Sequence, residues 1–158
     1  MRDLKRPACE FTPNDFAGKP FVESGRVGEM AVLGFGDRVS WDAPSGAGTL
    51  TASRYALHVA CPFRITQGAA RVVVGSEELR RSGGGPFDRG AAMLEGYLDR
   101  TAPVVQEIRT NPLGDLRIDI EHDIAVEVFP ATASRAESWR LLERFGGHLV
   151  FPSEISES

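Results

Sequence analysis

Every odd position between residues 54 and 65 is apolar, six in succession. Tyr55, Leu57, Val59, Cys61, Phe63 and Ile65 fall on one side, and Arg54, Ala56, His58, Ala60, Pro62 and Arg64 on the other. A period of two is the signature of a half-buried β-strand. The stretch reads as one long strand whose odd-numbered side chains enter the core, leaving the even-numbered face for solvent, a packing neighbour such as a helix, or a ligand. Residues 66–69 turn it back into a strand over 70–75, and a four-residue loop sets Ile65 against Ala70, Phe63 against Val72 and Cys61 against Val74. Upstream, residues 29–35 and 38–42 read as strands joined by a turn at Gly36-Asp37, with Val39 and Trp41 on one side. Residues 43–48 are a loop by composition.

Parity also sets the register of the central hairpin. Leu116, Ile118 and Ile120 share even numbering with Ile124, Val126 and Val128, so an odd turn of Glu121, His122 and Asp123 keeps both sets on one face. Ile120 then opposes Ile124 and Ile118 opposes Val126, while Arg117 falls across from Glu127 on the other face. Strands are also expected over 104–110, 139–142 and 148–151. Phe87, Ala91, Leu94 and Leu98 repeat at helical spacing and predict one main helix near 87–100, with Asp88 as N-cap and Pro103 beyond its end. Gly90 and Gly96 each cost that helix about 1 kcal/mol relative to alanine, so packing must hold it. Residues 1–26 read as an irregular lead-in with one helical turn capped by Thr12, and residues 152–158 as a frayed tail. The expected architecture is a single α+β domain over 1–158: a mostly antiparallel sheet of about eight strands with one helix, either an open curved sheet or a partly closed barrel.

Composition narrows the function classes. With 42% hydrophobic and 25% charged residues the chain is of ordinary globular type. A net charge of −4 argues against neutralising nucleic-acid phosphates and leaves a basic protein as the easier partner. Cys9 and Cys61 make no disulfide framework, and no apolar run approaches the ~20 residues that span a bilayer. A cytoplasmic protein without a cofactor or a membrane partner is expected.

Candidate chemistry is sparse. His58 and Cys61 lie three apart on a strand, hence on opposite faces, which a shared metal would not tolerate. His122 sits at a hairpin tip, and His148 has no acid or base at fixed spacing. Ser138 lacks an identifiable base. Gly46 and Gly48, and Gly83 to Gly85 beside Arg80 and Arg81, lack the strand-loop-helix context of an anion cradle and read as linkers. No catalytic residue and no metal site is assigned.

The segments LHVACPFRI, VVVGSEEL, DLRIDIEHDIAVEVFP, ESWRLL and HLVF, in that order, resemble a group of uncharacterised single-domain proteins from actinobacteria. Their strand-rich C-terminal half is distantly similar to immunity domains of bacterial toxin systems, and the resemblance implies binding rather than chemistry. The first expectation is a non-catalytic interaction protein that meets a basic partner, such as a toxin domain, through Glu121, Asp123 and Glu127. The alternative is a small-ligand binder or enzyme with a pocket around His58, Arg64 and Trp139. A homodimer through an unpaired strand edge is a third arrangement.

Overall fold

The computed structural model describes residues 11–80 and 85–152. Cys9, Arg81, Gly83, Gly84 and the expected frayed tail beyond Pro152 lie outside the described residues. In chain order the elements are β1 (Phe21–Val27), β2 (Met30–Asp42), β3 (Thr49–Val59), β4 (Phe63–Gln67), β5 (Arg71–Gly75), α1 (Pro86–Thr101), β6 (Val105–Thr110), β7 (Leu116–Ile120), β8 (Ile124–Val128), β9 (Trp139–Glu143) and β10 (His148–Phe151). They form two five-stranded sheets, ordered β1-β2-β3-β9-β10 and β5-β4-β8-β7-β6, and the neighbours pair antiparallel. The fold is thus α+β and mostly antiparallel with one main helix, built as two sheets rather than one and not closed into a barrel.

The second sheet exists because the long alternating stretch does not run as one strand. It breaks at residues 60–62, where the chain leaves the first sheet and enters the second. The Ala60 N–H still donates to Ser138 O at 2.8 Å, on the β9 side, whereas Pro62 O accepts from the Phe129 N–H at 2.8 Å, on the β8 side. The chain exchanges partners across Cys61, at a corner where proline needs no donor. Three residues of connection preserve parity, so Tyr55, Leu57, Val59, Phe63 and Ile65 are all buried in one core despite the bend. That core draws on both sheets and on α1.

Three expectations about the strands need correction. All of β1 but Val27 lies inside the presumed lead-in, although the helical turn at Pro13–Phe16 and its Thr12 cap are where the sequence places them. Gly36-Asp37 is a bulge within a continuous β2, not a turn: the register passes from Phe35↔Tyr55 to Arg38↔Ser53, with Gly36 at φ +81°. In the β4–β5 hairpin a bulge sets Ile65 against Val74 and Thr66 against Val72, in place of the even four-residue pairing. The β7–β8 hairpin has the expected register, with Ile120↔Ile124, Ile118↔Val126 and Arg117↔Glu127. His122 and Asp123 take left-handed conformations in its turn, at φ +63° and +57°.

Helix α1 buries Phe87, Ala91, Leu94 and Leu98, the stripe its spacing predicts. Its N-cap is Gly85 with Pro86 in the first turn, not Asp88, and it ends on Ala102 in the left-handed region ahead of Pro103. It does not cover the even-numbered face of β3. Instead it packs on β1 and β5, the edge strands of the two sheets, and bridges them. The Ser24 hydroxyl donates to Ala91 O at 3.0 Å and the Ser24 N–H to Glu95 Oε1 at 3.1 Å, so the helix satisfies polar groups on the β1 edge. On the β5 side Gly90 admits a close approach: a Cβ there would stand 2.7 Å from Val73 O. Among the described residues no helix is long and apolar enough to cross a membrane.

Candidate functional site

The outer face of the second sheet carries a lattice of charge. Arg64 on β4 meets Glu127 on β8 at 2.9 Å, and Glu127 also takes Arg117 of β7 at 3.0 Å. Arg117 turns its Nε to Asp119 at 2.8 Å, and Asp119 receives Arg109 of β6 at 3.2 Å. The Arg64 guanidinium also lies over the Phe129 ring. Arg64 and Glu127 are therefore brought together, but as partners of one another, and two arginines already neutralise Glu127. Glu121 is engaged in holding the fold, its carboxylate accepting the Val104 N–H at 3.0 Å. Asp123 projects from the turn and rims a shallow hollow of about 450 Å³ beside Gln106, Glu107 and Asp119. The three carboxylates expected to attract a basic partner thus do three different things.

His58, Arg64 and Trp139 are not brought together. His58 lies on the outer face of the first sheet, opposite Arg140 of β9, whereas Arg64 belongs to the second sheet. Trp139 points into the core, stacks on Phe151, and donates its indole N–H to Gly114 O at 2.7 Å. His58 is half-buried, and desolvation, followed by the nearby Arg144 charge, holds its pKa below the usual histidine value. Arg140 binds Glu137 and reaches His148 Nδ1 at 2.7 Å. Since arginine can only donate, Nδ1 is the acceptor there. The cluster orders the sheet face without presenting a nucleophile with a base.

Cys61 lines a small hollow of about 190 Å³ with Glu29, Pro62, Ser76 and Glu77. Burial pushes its thiol up to about 12, far from the thiolate that nucleophilic chemistry requires. Ser138 is buried, and its backbone joins β3 to β10 through Ala60 and Phe151. Among the described residues no group of three or more His, Cys, Asp or Glu could hold a metal ion.

The feature that sequence reading passes over is an arm. β1 pairs with β2 only as far as Phe35, and β9 pairs with β3 only over Tyr55–Val59, so residues 38–42 and 49–53 continue as a ribbon of two strands. Alternation divides this ribbon into a polar side, where the Ser40 and Thr51 hydroxyls meet at 3.0 Å, and an apolar side with Val39 opposite Ala52 and Trp41 opposite Leu50. The turn between β9 and β10 reaches the same apolar side. Phe145 meets Trp41 edge-on at 5.3 Å, and the Arg144 guanidinium lies over the Trp41 ring at 5.3 Å. Phe145 is 77% exposed and Leu50 44%. Phe145 also sits at φ +63°, a left-handed conformation that costs a bulky residue about 1 kcal/mol or more, although Gly146 follows immediately. Trp41 is readable as one side of a strand; nothing in the pattern of residues 144–147 places Phe145 against it.

No protein-family model, no curated protein and no solved structure matches the chain.

Proposed function

We propose that this chain is a non-catalytic protein-binding domain whose contact surface is the apolar side of the β2–β3 arm, centred on Trp41, Leu50 and Phe145. The toxin-binding role implied by the sequence resemblance is one instance of this reading. The observation that carries it is Phe145: a large aromatic side chain, exposed, held in a strained backbone conformation and braced edge-on against a tryptophan. Folding alone does not require that arrangement, since glycine would suit the position better. Tryptophan, aromatic and arginine side chains clustered on an exposed surface have the composition of an interface hot spot. The lattice on the second sheet is a weaker candidate because its charges are already paired with one another.

The test is site-specific photocrosslinking in cells. Benzoylphenylalanine at position 145 should give a discrete adduct with one protein, and the same group at Val72 or Met93, both exposed, should not. Equal adducts from all three positions, or none from 145, would overturn the proposal. Phe145→Gly should abolish the partner's co-purification while leaving the fold's stability within about 1 kcal/mol, because relief of the left-handed strain offsets the lost aromatic pair.

A further inference from the structure

Resting on that reading, we infer that Arg144 is a carboxylate receptor, and that the arm docks an extended partner segment carrying an internal Asp or Glu beside an apolar residue. Three observations converge on it. First, Arg144 is fixed before any partner arrives. Its Nε donates to Ser53 O at 3.2 Å, its backbone N–H donates to Arg54 O at 2.7 Å, and its guanidinium plane rests over Trp41. Second, its charge is unspent. Among the described residues no carboxylate lies within ion-pair reach of Arg144, while its neighbours Arg54 and Arg140 are each paired with a glutamate. Its two terminal nitrogens donate no hydrogen bond there, so a planar fork suited to bidentate carboxylate binding stands open beside an aromatic shelf.

Third, the backbone beside it is open as well. β9 leaves β3 after the Tyr55↔Glu143 pair, and over residues 49–53 β3 has β2 as its only strand neighbour among the described residues. An incoming extended segment can add to that edge in line with β9, placing alternate side chains over Leu50 and Trp41 and one of them against Arg144. Because the edge continues past the guanidinium, the chain must run on through the site. That selects an internal acidic side chain over a terminal carboxylate. A segment of basic residues would meet the like charge of Arg144 and be disfavoured, so the partner surface contacted here is acidic and apolar in spite of the chain's own net charge of −4.

The proposal is tested by selecting random nonapeptides, displayed inside a carrier loop so that no free terminus is offered, against the full chain and against Arg144→Gln and Arg144→Lys. Wild type should enrich segments with Asp or Glu at a constant distance from an apolar residue. Arg144→Gln should lose that acidic preference, with affinity for the enriched segments falling about tenfold or more, and Arg144→Lys should recover only part of it because lysine lacks the fork. Unchanged circular dichroism and melting of both variants certify the fold. Absence of enrichment, enrichment of basic segments, or an acidic preference that survives in Arg144→Gln would each overturn the inference. Segments that depend on Phe145 and Trp41 yet show no acidic preference would refute this inference alone and leave the protein-binding reading standing.

Discussion

Gly90 and Gly96 lie in the same helix but in opposite surroundings, and the same substitution at each tests how α1 is held. Both fall within Pro86–Thr101, so alanine at either adds about 1 kcal/mol of helix propensity. At Gly96 the methyl group finds open space, the nearest atom being the flexible end of Arg100 at 3.6 Å, and Gly96→Ala should stabilise by about that amount. At Gly90 the methyl group would stand 2.7 Å from Val73 O, about 0.7 Å inside ordinary contact, and that oxygen belongs to the backbone of β5. The helix must lift, and lifting it loosens Phe87 and Ala91 from the core. Overpacking of this kind costs about 1–3 kcal/mol, which offsets or exceeds the propensity gain. Because propensity enters both variants equally, the difference between them isolates the packing cost, with Gly90→Ala the less stable by about 1–3 kcal/mol. Urea titration followed by far-ultraviolet circular dichroism measures it as a difference in midpoint at constant m-value. Equal stabilisation by both substitutions would refute the claim that α1 is seated on the β5 backbone through Gly90.

Trp139→Phe should destabilise by about 2–3 kcal/mol in the same titration, since it strands the buried Gly114 carbonyl and leaves a void. In a Cys9→Ser background, alkylation of Cys61 near pH 8 should be at least about a hundredfold slower in the native protein than in urea, because the native thiol stays protonated there; equal rates would show that the fold does not raise the thiol's pKa. The same raised thiol pKa lets the unfolded chain shed a proton first as pH climbs past the ordinary thiol range. The thiol's contribution to stability is therefore whole below about 9 and declines toward 12. His58 acts at the acid end with the opposite sense: its lowered native pKa means the unfolded chain binds a proton first as pH falls through 6.5. Part of the stability lost below neutrality should disappear in His58→Gln, read from melting temperatures across pH 5 to 7.

What residues alone reveal depends on whether a local period controls the outcome. The helix stripe and the β7–β8 hairpin are legible because burial is the only thing that 3.6- and two-residue periods encode, and both elements bury one face uninterrupted. The stretch over 54–65 is legible as burial but not as shape. A corner of three residues keeps odd side chains in the core on both sides, so alternation cannot distinguish one strand from two strands in different sheets. β1 leaves no periodic trace, since its buried residues, Phe21 and Ser24, stand three apart across a bulge and its edge is finished by a helix about seventy residues away. The candidate site fails to appear for the same reason. His58, Arg64 and Trp139 stand out as residue types along one expected strand and its neighbour, but the corner plus the inward turn of Trp139 scatter them. Trp41, Arg144 and Phe145 come together only because β9 pairs with β3 and ends one residue before the arm would need a third strand, a tertiary coincidence that no spacing records. The backbone at Phe145 nonetheless marks the place. A residue kept in a conformation better suited to its glycine neighbour, exposed and braced by tryptophan, is where local consistency has been given up, and such departures from the folding rules are where function is expected.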